Sequence, residues 1–260
     1  MQNKSLKTTW SHPSPILPCG VIVGCDEKQE WILPWWWNHY STHNTSPVLF
    51  VDFGLSIEAA QWCEQRGKVI SLPSDLPSIK PRNAIEKETV FQWESAYGNG
   101  FWKGRPSWFK KPFALLQTPF TKTLWLDVDC EVKGDITPLF SSFTEEISLV
   151  PEPEYAQQHM QAFSIRSNEE TIYNSGVILF RHGSPTIFHW AEQCFERGDA
   201  FWSDQHLLSR LIFEKQTQIA ELSLLYNWHP GLGKNEHARI IHWLGDPGKE
   251  YISLNMHGFL

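Results

Sequence analysis

Short apolar runs alternate with helical stretches along the first third of this chain, and that alternation leaves few folds open. Residues 47–53 (PVLFVDF) form an apolar run of strand length. The stretch IEAAQWCEQR follows, with Ser56 suited to its N-cap and Gly67 to the position just past its end. Residues 68–72 supply another strand. Upstream, the run at residues 21–23 precedes a helical stretch over 35–41, where Pro34 suits a first helical turn. Two successive strand–helix–strand units require crossover connections and a parallel sheet. The expected class is α/β, with a Rossmann-like, mostly parallel central sheet flanked by helices. Residues 1–18, rich in Ser, Thr and Pro, read as an N-terminal tail, and 19–260 as one domain.

Further strands are predicted at 124–127, 147–150, 177–180 and 239–242. Ile187, Trp190, Ala191, Cys194 and Phe195 recur at helical spacing. Ser184 stands at the cap, Pro185 in the first turn and Gly198 past the end, which predicts a helix over 185–197. Residues 106–122 read as partly helical. Residues 73–105 show no period and read as irregular, with Trp102 and Trp108 as candidate stacking surfaces for an acceptor. Trp31 and Trp35, four apart, read as one buried helical face.

Composition narrows the function. The net charge of −7 argues against bulk nucleic acid as a partner, because that binding needs a basic footprint. No apolar run is long enough for an integral membrane span, and residues 1–20 lack the apolar stretch of a secretory signal. The five scattered cysteines show no paired spacing, which suits a reducing compartment. These features predict a cytoplasmic protein. The 14 tryptophans serve either a core or a sugar- or base-stacking surface, and composition does not choose between them.

One strand end carries chemistry. In TLWLDVDCEV, Asp127 and Asp129 flank Val128. An extended Asp-x-Asp turns both carboxylates to one side, where they repel unless a cation lies between them. Mg²⁺ or Mn²⁺, bridging carboxylates and substrate phosphates, is the natural partner. Parallel sheets also place ligands at this edge. On the same positional ground Asp26, which follows the first strand with Gly24 and Cys25, is a candidate for the nucleotide side.

The stretch 108–140 (WFKKPFALLQTPFTKTLWLDVDCEVKGDITPLF) resembles the donor-binding core of GT-A glycosyltransferases, which use nucleotide-sugars. Its KPFALL portion is similar to fungal α-mannosyltransferases. Downstream order resembles glycosyltransferase family 8, the group of glycogenin and bacterial galactosyltransferases. Tyr173-Asn174-Ser175-Gly176-Val177 resembles its Asn-Ser-Gly-Val motif, Asp204-Gln205 its Asp-Gln pair, and Tyr226-Asn227 its Tyr-Asn pair. His242-Trp243-Leu244-Gly245 resembles the start of its His-x-x-Gly-x-x-Lys-Pro-Trp motif. Gly248 stands where that motif has lysine, Lys249 follows, and the Pro-Trp is missing.

The resemblance implies a GT-A fold and a metal-dependent hexosyltransferase that uses a nucleotide-sugar donor, most often UDP-linked, with retention of configuration. It implies Asp127, Asp129 and His242 as ligands of Mn²⁺ or Mg²⁺, with His257 as the rival third ligand. It implies donor contacts from Lys111 (or Lys110), Val128, Asn174, Ser175, Gly176, Gly245 and Lys249. Asp204 would face the donor sugar, and Gln205 the reacting side. The acceptor, whether glycan, lipid or protein, is left open. Three rivals remain. A haloacid-dehalogenase-type phosphatase would need Thr or Val where Glu131 stands. A nucleotidyltransferase would need a phosphate-binding loop where the acidic Gly24-Cys25-Asp26-Glu27 stands. A non-catalytic binding protein on a decayed transferase scaffold is the third, and Gly248 is what favours it. The cluster His229, His237 and His242 suggests zinc, but no cysteine pair accompanies it.

Overall fold

The computed structural model describes residues 14–76 and 78–256. Nine strands and ten α-helices fill that span. The strands are β1 (Leu17–Cys25), β2 (Val48–Asp52), β3 (Lys68–Ser71), β4 (Phe120–Leu126), β5 (Cys130–Val132), β6 (Ile147–Pro151), β7 (Tyr173–Arg181), β8 (Ala220–Glu221) and β9 (Ile240–His242). The helices are α1 (Leu33–His43), α2 (Ile57–Glu64), α3 (Lys87–Tyr97), α4 (Arg105–Trp108), α5 (Lys111–Leu115), α6 (Thr137–Ser142), α7 (Glu154–Ala162), α8 (Pro185–Arg197), α9 (Asp204–Lys215) and α10 (Gly245–Leu254).

Seven strands form one sheet in the order β3-β2-β1-β4-β7-β6-β8. The pairs β1–β2, β2–β3, β1–β4 and β6–β8 are parallel, and only β7 runs against its neighbours. The chain builds outward from β1 to β3, then returns to lay β4 on the other side of β1. The order therefore reverses between β1 and β4, which leaves a crevice at their carboxyl ends. Asp26 and Asp127 directly follow those two strands.

Both faces of the sheet are covered, which is why its strands read as continuous apolar runs rather than alternating ones. On one face Ile22, Leu49, Trp125, Ile178 and Phe180 pack with α5, α8 and α9. On the other, Val21, Val23, Phe50, Leu124, Leu126, Val177 and Leu179 pack with α1, α6 and α10. Trp35, Trp36, Trp125 and Trp190 are fully buried, so much of the tryptophan content serves the core.

Two sequence expectations fail for local reasons. Trp31 is 37% exposed whereas Trp35 is buried. Residues Glu30–Ile32 form a 3₁₀ turn, whose three-residue period breaks the spacing of an α-helical face. The stretch 73–105 is not irregular throughout, because it contains α3. Val90 and Trp93 are buried on that helix while Phe91 between them is 75% exposed, and this outward ring hid the period. Trp102 and Trp108 are also less free than a stacking platform requires. The Trp102 indole donates to Glu94 (2.8 Å) and its ring packs on Trp93 and Phe101, while Trp108 meets Trp202 edge-on.

Ser184 caps α8 as the sequence predicts, accepting from the Ile187 N–H. The same helix carries Trp190, whose indole N–H donates to the Asp204 carbonyl at 3.1 Å and so fixes the start of α9. Trp190→Ala is expected to cost about 3–5 kcal/mol of stability, measured by urea unfolding. Trp190→Phe, which keeps most of the volume, is expected to cost clearly less.

Candidate functional site

The residues that separate sequence motifs supplied meet past the carboxyl end of β4, beside β7 and the start of α9. Asp127 directly follows β4, and its N–H donates to the Gly176 carbonyl of β7 at 2.8 Å. The turn after it reverses into β5, which pairs with β9 so that Cys130 lies opposite His242. This two-stranded ribbon brings the 240s to the acidic pair. His242 Nε2 lies 3.3 Å from Asp129 Oδ1 and 3.8 Å from Asp127 Oδ2.

The imidazole tautomer follows from its partners. Asn227 Nδ2 donates to Asn174 Oδ1 (2.9 Å), which leaves Asn227 Oδ1 to accept from His242 Nδ1–H at 3.0 Å. The Nε2 lone pair then points at the two carboxylates. Oxygen and imidazole donors converging on one point suit a hard or borderline divalent cation. Asp129, Cys130 and His242 offer ligand atoms within 4.8 Å of one another. The Cys130 thiol is the poor member, because burial and then the nearby Asp129 and Asp127 push it well above its ordinary range. Its Sγ faces the Gly176 carbonyl at 3.7 Å. Of the trio the sequence suggests, Asp129 and His242 belong to this group, whereas Asp127 approaches His242 (3.8 Å) but stands outside it. His257 lies outside the described residues.

Glycine makes this packing possible. A Cβ on Gly176 would stand 2.0 Å from His242 Cε1, so the ring occupies space that only glycine leaves. Gly248, the departure from the lysine of the family motif, has a similar cause. A Cβ there would stand 2.0 Å from the Trp243 carbonyl oxygen, because α10 packs down on that backbone. Lys249 supplies the charge instead, its Nζ 2.9 Å from Asp129 Oδ2. Gly245, the first residue of α10, adopts φ +66°, a left-handed conformation suited to glycine.

A second cation sits deeper. Lys111 is 4% exposed, at the start of α5. Its ammonium lies 3.0 Å from Asp127 Oδ1 and 3.5 Å from Asp204 Oδ2, and donates to the Ser175 carbonyl and hydroxyl at 3.0 Å each. Burial opposes its charge, but Asp127 and Asp204 outweigh burial and raise its pKa. Burial pushes the Asp204 carboxyl up, against the pull of Lys111. For Asp129, burial is outweighed by Lys249, whose ammonium holds the carboxyl well below the usual range. Lys110, the alternative to Lys111, instead donates to the Phe53 carbonyl.

The remaining candidates serve as frame. Ser175 Oγ donates to Asp204 Oδ2 at 3.1 Å, and its N–H donates to Gln205 Oε1 at 3.1 Å. Asn174 Oδ1 accepts from the Gly176 N–H at 2.8 Å, so that side chain is spent inside the protein. Val128 turns its side chain into the core, leaving only its backbone to a ligand. Asp26 accepts from Ser107 Oγ and from the Lys28 N–H.

Glu152 is the residue that sequence reasoning missed. It follows β6 and is 8% exposed. Its Oε1 accepts from Asn174 Nδ2 (2.8 Å) and Gln205 Nε2 (2.7 Å), tying two motifs together. Burial raises its pKa despite those bonds. Its other oxygen lies 3.6 Å from His229 Nδ1. Burial, then the neighbouring His242, lowers the His229 pKa to about 3, so that ring is neutral. The available signal was an acid just past a buried strand on the ligand edge of the sheet.

No protein-family model matches the chain, and no curated protein matches it by sequence. Solved structures match it by shape. The galactosyltransferase LgtC, solved with donor and acceptor sugar analogues, superposes with a TM-score of 0.57 at 14% identity over 93% of this chain and 100% of LgtC. The apo bifunctional glycosyltransferase WbbM gives 0.57 at 12% identity over 91% of this chain, which spans 47% of that protein. Mouse xyloside xylosyltransferase 1, also apo, gives 0.53 at 16% identity over 87% of this chain and 97% of its own. The chain has the GT-A glycosyltransferase fold.

Two variants test this geometry. Gly176→Ala is expected to displace His242 and weaken Mn²⁺ binding about 10–100-fold, read by electron paramagnetic resonance; unchanged affinity would refute the ligand assignment. Lys111→Gln leaves Asp127 and Asp204 without their shared cation, at an expected cost of about 3–5 kcal/mol near pH 7. Without that cation the Asp204 pKa rises further, and native stability falls as pH rises through it. The deficit should therefore be smaller at pH 5 than at pH 7, measured by urea unfolding.

Proposed function

We propose that this protein is a metal-dependent glycosyltransferase that moves a hexose from a nucleotide-sugar, UDP-linked in the first instance, to an acceptor with retention of configuration. The observation that carries this reading is Lys111. One buried ammonium touches Asp127 of the Asp-x-Asp pair, Ser175 of the Asn-Ser-Gly motif and Asp204 of the Asp-Gln pair. Motifs far apart in the chain meet on it, at the edge where α/β folds bind nucleotides. LgtC, of the same fold, was solved with donor and acceptor sugar analogues.

In this reading Asp127, Asp129 and His242 would hold Mn²⁺ or Mg²⁺, and a bound ion would supply positive charge to offset that of the leaving group. Lys249 and Lys111 stand on either side of the acidic pair as fixed positive charges for the same phosphates. Asp204 takes the donor sugar hydroxyls and Gln205 the reacting face. Asn174, Ser175 and Gly176 keep both in place. Asp26, the Val128 backbone and the Gly245 backbone serve the nucleotide and phosphates. The acceptor oxygen bonds to the anomeric carbon as the bond to phosphate breaks on the same face, and its proton passes to the departing phosphate oxygen. Fixed geometry and fixed charge supply most of the rate. Among the described residues no helix is long and apolar enough to cross a membrane.

Thermal shift with nucleoside diphosphates, each with and without Mn²⁺, tests the donor site. A ligand at 100 times its Kd adds about 2.7 kcal/mol, or roughly 5–10 °C for a chain of this size. UDP is expected to stabilise only with Mn²⁺. No shift with any nucleotide would favour a decayed scaffold. Asp129→Asn is expected to abolish Mn²⁺-dependent sugar transfer while circular dichroism stays unchanged, and full activity in that variant would overturn the assignment.

A further inference from the structure

A cavity of about 300 Å³ opens between the segments 79–82 and 102–106, lined by Lys80, Arg82, Trp102, Lys103 and Arg105 among others. The chain as a whole carries a charge of −7, yet among the described residues no Asp or Glu lines this cavity. The nearest carboxylates act from outside it. Asp199 lies 3.4 Å from the Lys80 ammonium, and Glu94 grips Arg82 through two bonds of 2.6 and 2.8 Å. Among the described residues, Lys103 and Arg105 make no ion pair. Of the four lining cations, Lys80 and Arg82 thus have a carboxylate partner and Lys103 and Arg105 have none.

Arg105 is the telling member. It is 1% exposed, and its guanidinium donates only to main-chain carbonyls, those of Lys80, Gly198 and Phe201. Carbonyl oxygens satisfy the N–H groups but do not neutralise the charge. Burial lowers its pKa to about 10, with Asp199 opposing, so the group stays charged at neutral pH. The faces of Trp93, Trp102 and Phe109, 5.1–5.7 Å from the guanidinium carbon, help to hold this charge, and a ligand anion in the adjoining cavity would supply the counter-ion that the chain omits.

The cavity sits on the rim of the site already described. Lys28 Nζ donates to the Lys103 carbonyl at 3.3 Å, and Ser107 Oγ of α4 donates to Asp26. A Cβ on Gly100, in the turn that carries Trp102 and Lys103, would stand 3.8 Å from Asp246 Oδ2 near the start of α10. Its cations are separate from Lys111 and Lys249, which engage Asp127 and Asp129.

We propose that this cavity binds a phosphate monoester. Such a group carries a charge of about −1.5 to −2 at neutral pH, which matches the two unpaired cations, and arginine and lysine suit its oxygens. The volume leaves room for the ring or chain that bears the phosphate. Placing that phosphate on the acceptor rests on the transferase reading above, whereas the binding itself does not.

The test is titration of the full chain, without divalent metal, with glucose 6-phosphate and separately with inorganic phosphate, followed by the indole N–H signals in ¹⁵N NMR. Saturable binding that shifts the Trp102 indole is expected. Lys80→Glu/Lys103→Glu is expected to weaken it at least about tenfold, or 1.4 kcal/mol, and Lys249→Gln to leave it unchanged. Lys103→Gln, a milder change at an exposed position, gives the same direction should the double variant fail to fold. Tighter binding of the sugar phosphate supports an ester-borne ligand, and equal binding supports free phosphate in the same cavity. Absence of saturable binding by both ligands would overturn the proposal. So would undiminished binding in the Lys80 and Lys103 variants, or loss in Lys249→Gln alone, which would place the phosphate at the acidic pair.

Discussion

A single ammonium, Lys111, holds the centre of this molecule together. Burying it alone would favour the neutral amine, yet Asp127 and Asp204 keep it charged, with Ser175 completing its hydrogen bonds. Each carboxylate in turn depends on it, because both sit at chain reversals where the sheet opens. The strand β4, the reversed strand β7 and the helix α9 thus converge on one charge. Their relative placement is fixed by electrostatics in a low-dielectric setting as well as by packing, and such networks are costly to leave half-satisfied.

Around that centre, shape decides where charge can go. The His242 ring fits against β7 because Gly176 has no side chain, and α10 closes on Trp243 because Gly248 has none. The second contact explains the altered motif. A lysine side chain at 248 would start inside the Trp243 backbone, so the cation moves one residue on, to Lys249, and still reaches Asp129. The positive charge is thereby kept beside Asp129 within one turn of helix. That weakens the main sequence argument for a decayed scaffold.

Behind the acidic pair, Glu152, Asn174, Gln205, Asn227 and His242 form a continuous chain of polar contacts. This chain fixes the histidine tautomer from behind, as outer partners do in metal sites. It also couples the two halves of the crevice, because Gln205 bonds to Ser175 on one side and Glu152 on the other.

The α/β class and six of the seven central-sheet strands were legible in the sequence because both faces of the sheet are covered and its inner strands are largely apolar, whereas the two-residue β8 carries no such run. The α8 helix was legible because its cap, spacing and terminal glycine all agree. Asp127, Asp129, Asp204 and His242 were visible because they stand in motifs that resemble, in order, those of a known family. Helix α3 was hidden by the exposed Phe91, and the Trp31–Trp35 face by a 3₁₀ turn. Glu152 and the role of Arg105 were hidden for a deeper reason. Their partners are Asn174, Gln205 and the carbonyls of Gly198 and Phe201, all distant in sequence, and no local pattern records a contact made across a sheet. The sequence by itself determined which residues can carry charge, ligate or turn. The tertiary structure alone decided which charges meet, because the energy of a buried charge depends on neighbours that only the fold brings within a few ångströms.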